Sequence, residues 1–103
     1  MAWIYLILAG VFEIGWPLGF KLANEGSKLW IIFAIFSMAL SGFLLYLSQK
    51  SIPIGTAYIV WTGIGGIGTI LVGIFFFQDS VSFLRLFFLA LILVGLVGIK
   101  LVS

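Results

Sequence analysis

No cysteine and no histidine occur in the sequence. Without cysteine there is no disulfide framework and no thiol nucleophile. Without histidine the usual proton carrier at neutral pH and the commonest metal ligand are both missing. Charge is scarce as well: five bases and three acids make up 8% of 103 residues, against about 25% in a soluble domain. The bases are dispersed, so the net charge of +2 is not the footprint of a nucleic-acid binder. No nucleophile–base pair, metal cluster or second acid shares a plausible pocket, which argues against an enzyme and against any cofactor or metal. The first residues lack a basic region and no Ala-x-Ala-like site follows, so no cleavable signal peptide is expected.

What the chain has in excess is apolar residues, 64% of the total. A soluble fold of this length could not hide so much apolar surface, so the chain is read as an all-α membrane protein. Four apolar segments, at about 2–20, 29–48, 54–77 and 83–102, are separated by short polar breaks. Each is long enough to cross a ~30 Å hydrocarbon layer as a helix. Together they form one transmembrane unit with no linker. Breaks this short make neighbouring helices antiparallel and adjacent. Pro53 suits the first turn of the third span, and Ser80 or Ser82 can cap the fourth. One side of the membrane would hold Lys21, Lys28 and Arg85, and the other Lys50, Lys100 and the terminal amine. That near balance gives the positive-inside rule no clear direction, and it is compatible with a chain that inserts both ways round.

Glu13 is the only acid or base between the amino terminus and Lys21. An acid in the middle of a spanning helix costs about 2.5–3.5 kcal/mol on insertion scales. The chain carries that cost, and an intramembrane acid is read first as a functional group. The plainer alternative is a carboxylic acid hydrogen-bonded between helices as glue. Trp16 is three residues on and shares its face, where the indole N–H can donate to the carboxylate. Pro17 removes the helical bond that the Glu13 carbonyl would accept. It either kinks the helix there or is repacked by its neighbours, and the sequence leaves both open.

Ser37 and Ser41 lie one turn apart on the second span. A hydroxyl there can orient a buried carboxylate, or the two serines are ordinary small packing residues. Tyr58 and Trp61 share a face deep in the third span. Aromatic faces and polar tips at that depth suit an organic cation, though apolar filling would use the same residues. Gly63, Gly65, Gly66 and Gly68 follow at once, and they fit either a bend or close helix packing. The fourth span has no interior charge; its Ala90, Gly95 and Gly98 give a shallow face on which another helix can dock. A closed bundle would seal a lone acid from both solutions, whereas a two-fold dimer would bring two copies of Glu13 to one cavity. Such a pair can hold protons or a cation but not both, which is sufficient for proton-driven antiport with alternating access.

The motif Phe12-Glu13-Ile14-Gly15-Trp16 followed by Lys21, the stretches Pro53-Ile54-Gly55-Thr56-Ala57-Tyr58 and Trp61-Thr62-Gly63-Ile64-Gly65, and the ending Gly95-Leu-Val-Gly98-Ile-Lys100 resemble the small multidrug resistance family, and within it the guanidinium-exporter branch. The resemblance covers the whole chain. It departs at Pro17 and Gly19, where Ala-like or aliphatic residues are expected, and in the first loop. It implies an antiparallel, dual-topology homodimer in the lipid bilayer of the inner membrane, exporting guanidinium-type cations against protons. Glu13 would be the shared proton and substrate carboxylate, with Trp16, Ser41, Tyr58 and Trp61 around it. Gly63 and Gly65 would form the bend, and Ala90, Gly95 and Gly98 the dimer contact. Trp16 favours planar guanidinium, whose N–H donors fork onto a carboxylate, over the quaternary ammonium ions of the multidrug branch. A heterodimer with a paired chain, and a membrane subunit with no transport of its own, are the remaining alternatives.

Overall fold

A computed structural model describes residues 1–102. It contains five helices: α1 (Ala2–Glu13), α2 (Gly15–Glu25), α3 (Trp30–Ser48), α4 (Ile54–Phe76) and α5 (Phe83–Val102). α1 and α2 follow one another through Ile14 and together make one 24-residue apolar span. With α3, α4 and α5 the chain therefore has four helices long and apolar enough to cross a membrane. The protein is a multi-pass membrane protein.

The join at Ile14 has a local cause. Pro17 has no N–H to give to the Glu13 carbonyl, and its ring crowds the preceding turn. The chain tightens there, with the Ile14 N–H reaching the Val11 carbonyl at 3.2 Å. Ile14 itself keeps right-handed helical angles, φ −65° and ψ −30°, so the regular ladder is interrupted without reversing direction. The first span then continues past residue 20 to Glu25. Lys21 and Glu25, one turn apart, form an ion pair at 3.2 Å that supports this last stretch.

Small residues set the helix packing. A Cβ on Gly15 would come within 2.7 Å of the Ser37 Cβ. One on Gly19 would come within 2.9 Å of the Ala34 Cβ and the Trp30 carbonyl. Gly15, Gly19 and the buried Ala23 thus form a stripe that lets α2 and α3 approach backbone to backbone. On its other side the first span packs on α4. Gly10 receives Ile64 there, and Leu6, Ile52, Ala57 and Val60 form the buried apolar cluster.

The first span therefore lies between α3 and α4, and α5 packs its backbone only against α4. The Cα positions extend 42 × 35 × 17 Å. A 23-residue helix is about 35 Å long, so one of the two longer dimensions is the width across the spans, at least twice the shortest. The spans form a slab and not the closed bundle that four short-looped helices would build around a filled centre. Leu89 is the only buried residue of α5 among those described. Such exposure suits a surface whose solvent is lipid.

Candidate functional site

Glu13 ends α1 at the middle of the first span, where its side chain is half-buried. It lies across the face of α4 at Gly65. A Cβ on that glycine would meet the Glu13 Cγ at 2.7 Å and its Cβ at 3.1 Å. The absence of a side chain at residue 65 makes the room that the acid occupies.

A chain of hydrogen bonds from two other helices ends at this acid. The Trp61 Nε1–H donates to the Ser41 Oγ at 2.8 Å. The fully buried Ser41 hydroxyl donates to the Ala9 carbonyl at 2.7 Å and has Glu13 Oε1 as a second acceptor at 3.4 Å. A hydroxyl carries one proton. Its better bond is to Ala9, and the carboxylate is within reach of a small rotation. The Ala9 carbonyl lies one turn before Glu13 on the same helix, so Ser41 ties α3 to α1 whichever acceptor it serves.

Glu13 also lines a cavity of about 360 Å³ between the first span and α4, shared with Trp16, Pro17, Thr62, Gly66 and Thr69. The cavity is open on the face of the slab. Trp16 forms part of its wall, and its ring meets Phe20 edge-on at 5.8 Å. Among the described residues no hydrogen bond joins Trp16 to Glu13, so its indole serves as a wall here and not as a donor to the acid. Tyr58 stacks obliquely on Trp61, with ring centroids 5.6 Å apart. It is 53% exposed and does not line the cavity.

Two hydroxyls that the sequence reading passed over stand in this cavity. Thr62 donates to the Tyr58 carbonyl at 2.8 Å, and Thr69 to the Gly65 carbonyl at 2.7 Å. Both are bonded back onto their own helix, leaving their oxygens as acceptors toward the cavity. The signal was available: residues 62, 65, 66 and 69 follow the spacing of one helical face. Ser37, by contrast, packs against Gly15 and is not in the cavity.

α4 stays helical from Ile54 to Phe76, straight through its glycines. Gly63 is filled by Leu96 of α5, at 2.5 Å from a built Cβ, and Gly65 by Glu13. Gly95 and Gly98 have nothing within 4 Å, and Ala90 is exposed beside them. That part of α5 is an open surface.

The family model described as Small Multidrug Resistance protein matches residues 1–92. A guanidinium exporter of Yersinia pseudotuberculosis is 47% identical over 104 residues, covering 100% of both chains. A probable guanidinium efflux system subunit, GdnD, of Bacillus licheniformis is 47% identical over 107 residues, again covering 100% of both. A guanidinium exporter of Escherichia coli K12 is 42% identical over 102 residues, covering 98% of this chain and 97% of that one.

Proposed function

The chain belongs to the small multidrug resistance family, and from that premise we propose that it exports guanidinium and small substituted guanidinium cations across the bacterial inner membrane in exchange for protons. Three full-length relatives with guanidinium in their names support the substrate class. The observation that carries the mechanism is the Ser41 hydroxyl, which has one proton and two acceptors, Ala9 and Glu13.

When Glu13 is ionised, Ser41 turns its proton to the carboxylate, and Trp61 holds the Ser41 oxygen in place. When Glu13 takes a proton, Ser41 returns to the Ala9 carbonyl. Neither state strands the Ser41 proton or the Trp61 N–H, so the acid can change charge without breaking the packing around Ser41. A guanidinium ion meets the ionised state. Its planar fork of N–H donors matches a carboxylate, and the Thr62 and Thr69 oxygens offer further acceptors in the same cavity. Trp16 is the wall that limits the size of the cation, and Tyr58 offers an exposed aromatic face.

The open cavity is completed by a second, inverted copy of the chain, docked through the free surface at Ala90, Gly95 and Gly98. Two copies of Glu13 then share one site, and protons and substrate compete for it. Gly63 and Gly65 are the turn at which α4 bends as access alternates. The near-balanced loop charges support the inverted pairing.

The test is current on solid-supported membranes with the purified protein in liposomes. Guanidinium is expected to drive current in wild type and none in Glu13→Gln, and tetrapropylammonium is expected to be silent. Current with tetrapropylammonium alone would move the protein to the multidrug branch. Guanidinium current that survives in Glu13→Gln would remove Glu13 from the mechanism.

A further inference from the structure

A second crevice, of about 240 Å³, runs between α2 and the end of α4 and is lined by Lys21, Gly73, Phe77 and Asp79. Pro17 and Thr69 line both this crevice and the Glu13 cavity. The two spaces therefore abut on the same two side chains, one at membrane depth and one at the loop end. We propose that this crevice is an outer station for guanidinium-type cations, with Asp79 as its carboxylate and Phe77 as its aromatic face. The inference takes its cation from the export reading above.

The backbone is shaped to put an acid there. The Gly73 carbonyl accepts from both the Phe77 N–H, at 3.1 Å, and the Asp79 N–H, at 3.0 Å. The curl depends on Gln78, a non-glycine residue at φ 58°. It folds the Asp79 carboxylate over Gly73, where a Cβ would overlap it.

The charge balance leaves that carboxylate available. Lys21 is paired with Glu25, and Arg85 donates to the Ser80 carbonyl at 2.8 Å and to its hydroxyl at 3.0 Å. Among the described residues no base forms an ion pair with Asp79. The crevice lining holds one base, Lys21, and one acid, Asp79; with Lys21 paired to Glu25, the Asp79 carboxylate is the charge there that can meet a cation.

The aromatic face already carries a cation. The Lys21 ammonium lies 5.8 Å from the centre of the Phe77 ring, within the range of cation–π attraction. It marks the position a diffusing cation would take when Lys21 turns fully to Glu25. A flat guanidinium can lay its face on the ring and its N–H edge on the carboxylate, which a sodium ion cannot do.

Binding tests the station apart from transport. Guanidinium chloride is titrated into Glu13→Gln protein in bicelles, against sodium chloride at equal ionic strength, and amide shifts are followed. Saturable shifts at Gly73, Phe77 and Asp79 are expected with guanidinium only. They are expected to be lost in the Glu13→Gln/Asp79→Asn double variant and weakened when Phe77→Leu is combined with Glu13→Gln. No saturable shift, an equal response to sodium, or a response that survives Asp79→Asn would each overturn the station. The wild-type current decides the export reading separately, because the titration uses a protein whose central acid is disabled.

Discussion

The Glu13 side chain fills the space that a Cβ on Gly65 would occupy, with Cγ 2.7 Å from that position. The acid and the glycine belong to different helices, so the position of the carboxylate is set by what α4 lacks. An alanine at 65 would push the acid out of reach of Ser41 or push α4 away from the first span. Overpacking of this kind costs about 1–3 kcal/mol. Gly65→Ala is expected to lower guanidinium current at least about tenfold, the equivalent of ~1.4 kcal/mol. Gly42→Ala, on α3 and away from the cavity, has open space around its Cβ and should stay near wild type. Equal behaviour of the two variants would show that the fit at 65 does not matter.

Ser41→Ala and Trp61→Phe probe the same hydrogen bonds from opposite ends. Removing Ser41 strands the Trp61 N–H in a partly buried position and takes a donor from Glu13. A stranded buried donor costs about 1–3 kcal/mol. Trp61→Phe removes the donor itself and leaves Ser41 with both of its acceptors. The apparent affinity for guanidinium should fall more in Ser41→Ala than in Trp61→Phe. The reverse order in liposome currents would mean that Trp61 acts through its ring and not through Ser41.

Gln78 holds a left-handed backbone with φ 58°, a conformation that costs a non-glycine residue about 1–2 kcal/mol. Gln78→Gly should therefore raise the thermal midpoint of the detergent-solubilised protein, and Gln78→Val should lower it. A lower midpoint in the glycine variant would place the Gln78 side chain among the contacts that hold the loop.

Gly95 and Gly98 point into open space, whereas Gly63 is filled by Leu96. Gly95→Leu should leave the fold of a single chain intact and weaken association of two copies, read as loss of cross-linked dimer. Gly63→Ala should instead disturb the packing of α5 on α4 within one chain. Undiminished cross-linking in Gly95→Leu would move the dimer contact off this face.

The spans were legible because apolar runs and short polar breaks leave little choice in a membrane. The role of Ser41 was half-legible. Its spacing from Ser37 made both candidates, and only the packing separated the hydroxyl that bonds Ala9 from the one pressed against Gly15. Thr62 and Thr69 were missed because a threonine on an apolar helix reads as small packing until its face is known. The slab was not legible at all. Nothing in the pattern of α5 says that its backbone will touch α4 alone, since lipid and protein interiors ask for the same residues.

Gly63 and Gly65 are two positions apart on α4, about 200° around its axis, and each receives a side chain from a different neighbour. α4 is thus an axle held by a socket on each side. A small roll that frees Glu13 from one socket must press on Leu96 in the other. The placement of the acid and the seating of the outermost helix are thus both set by one helix, through two bare positions on opposite sides of it.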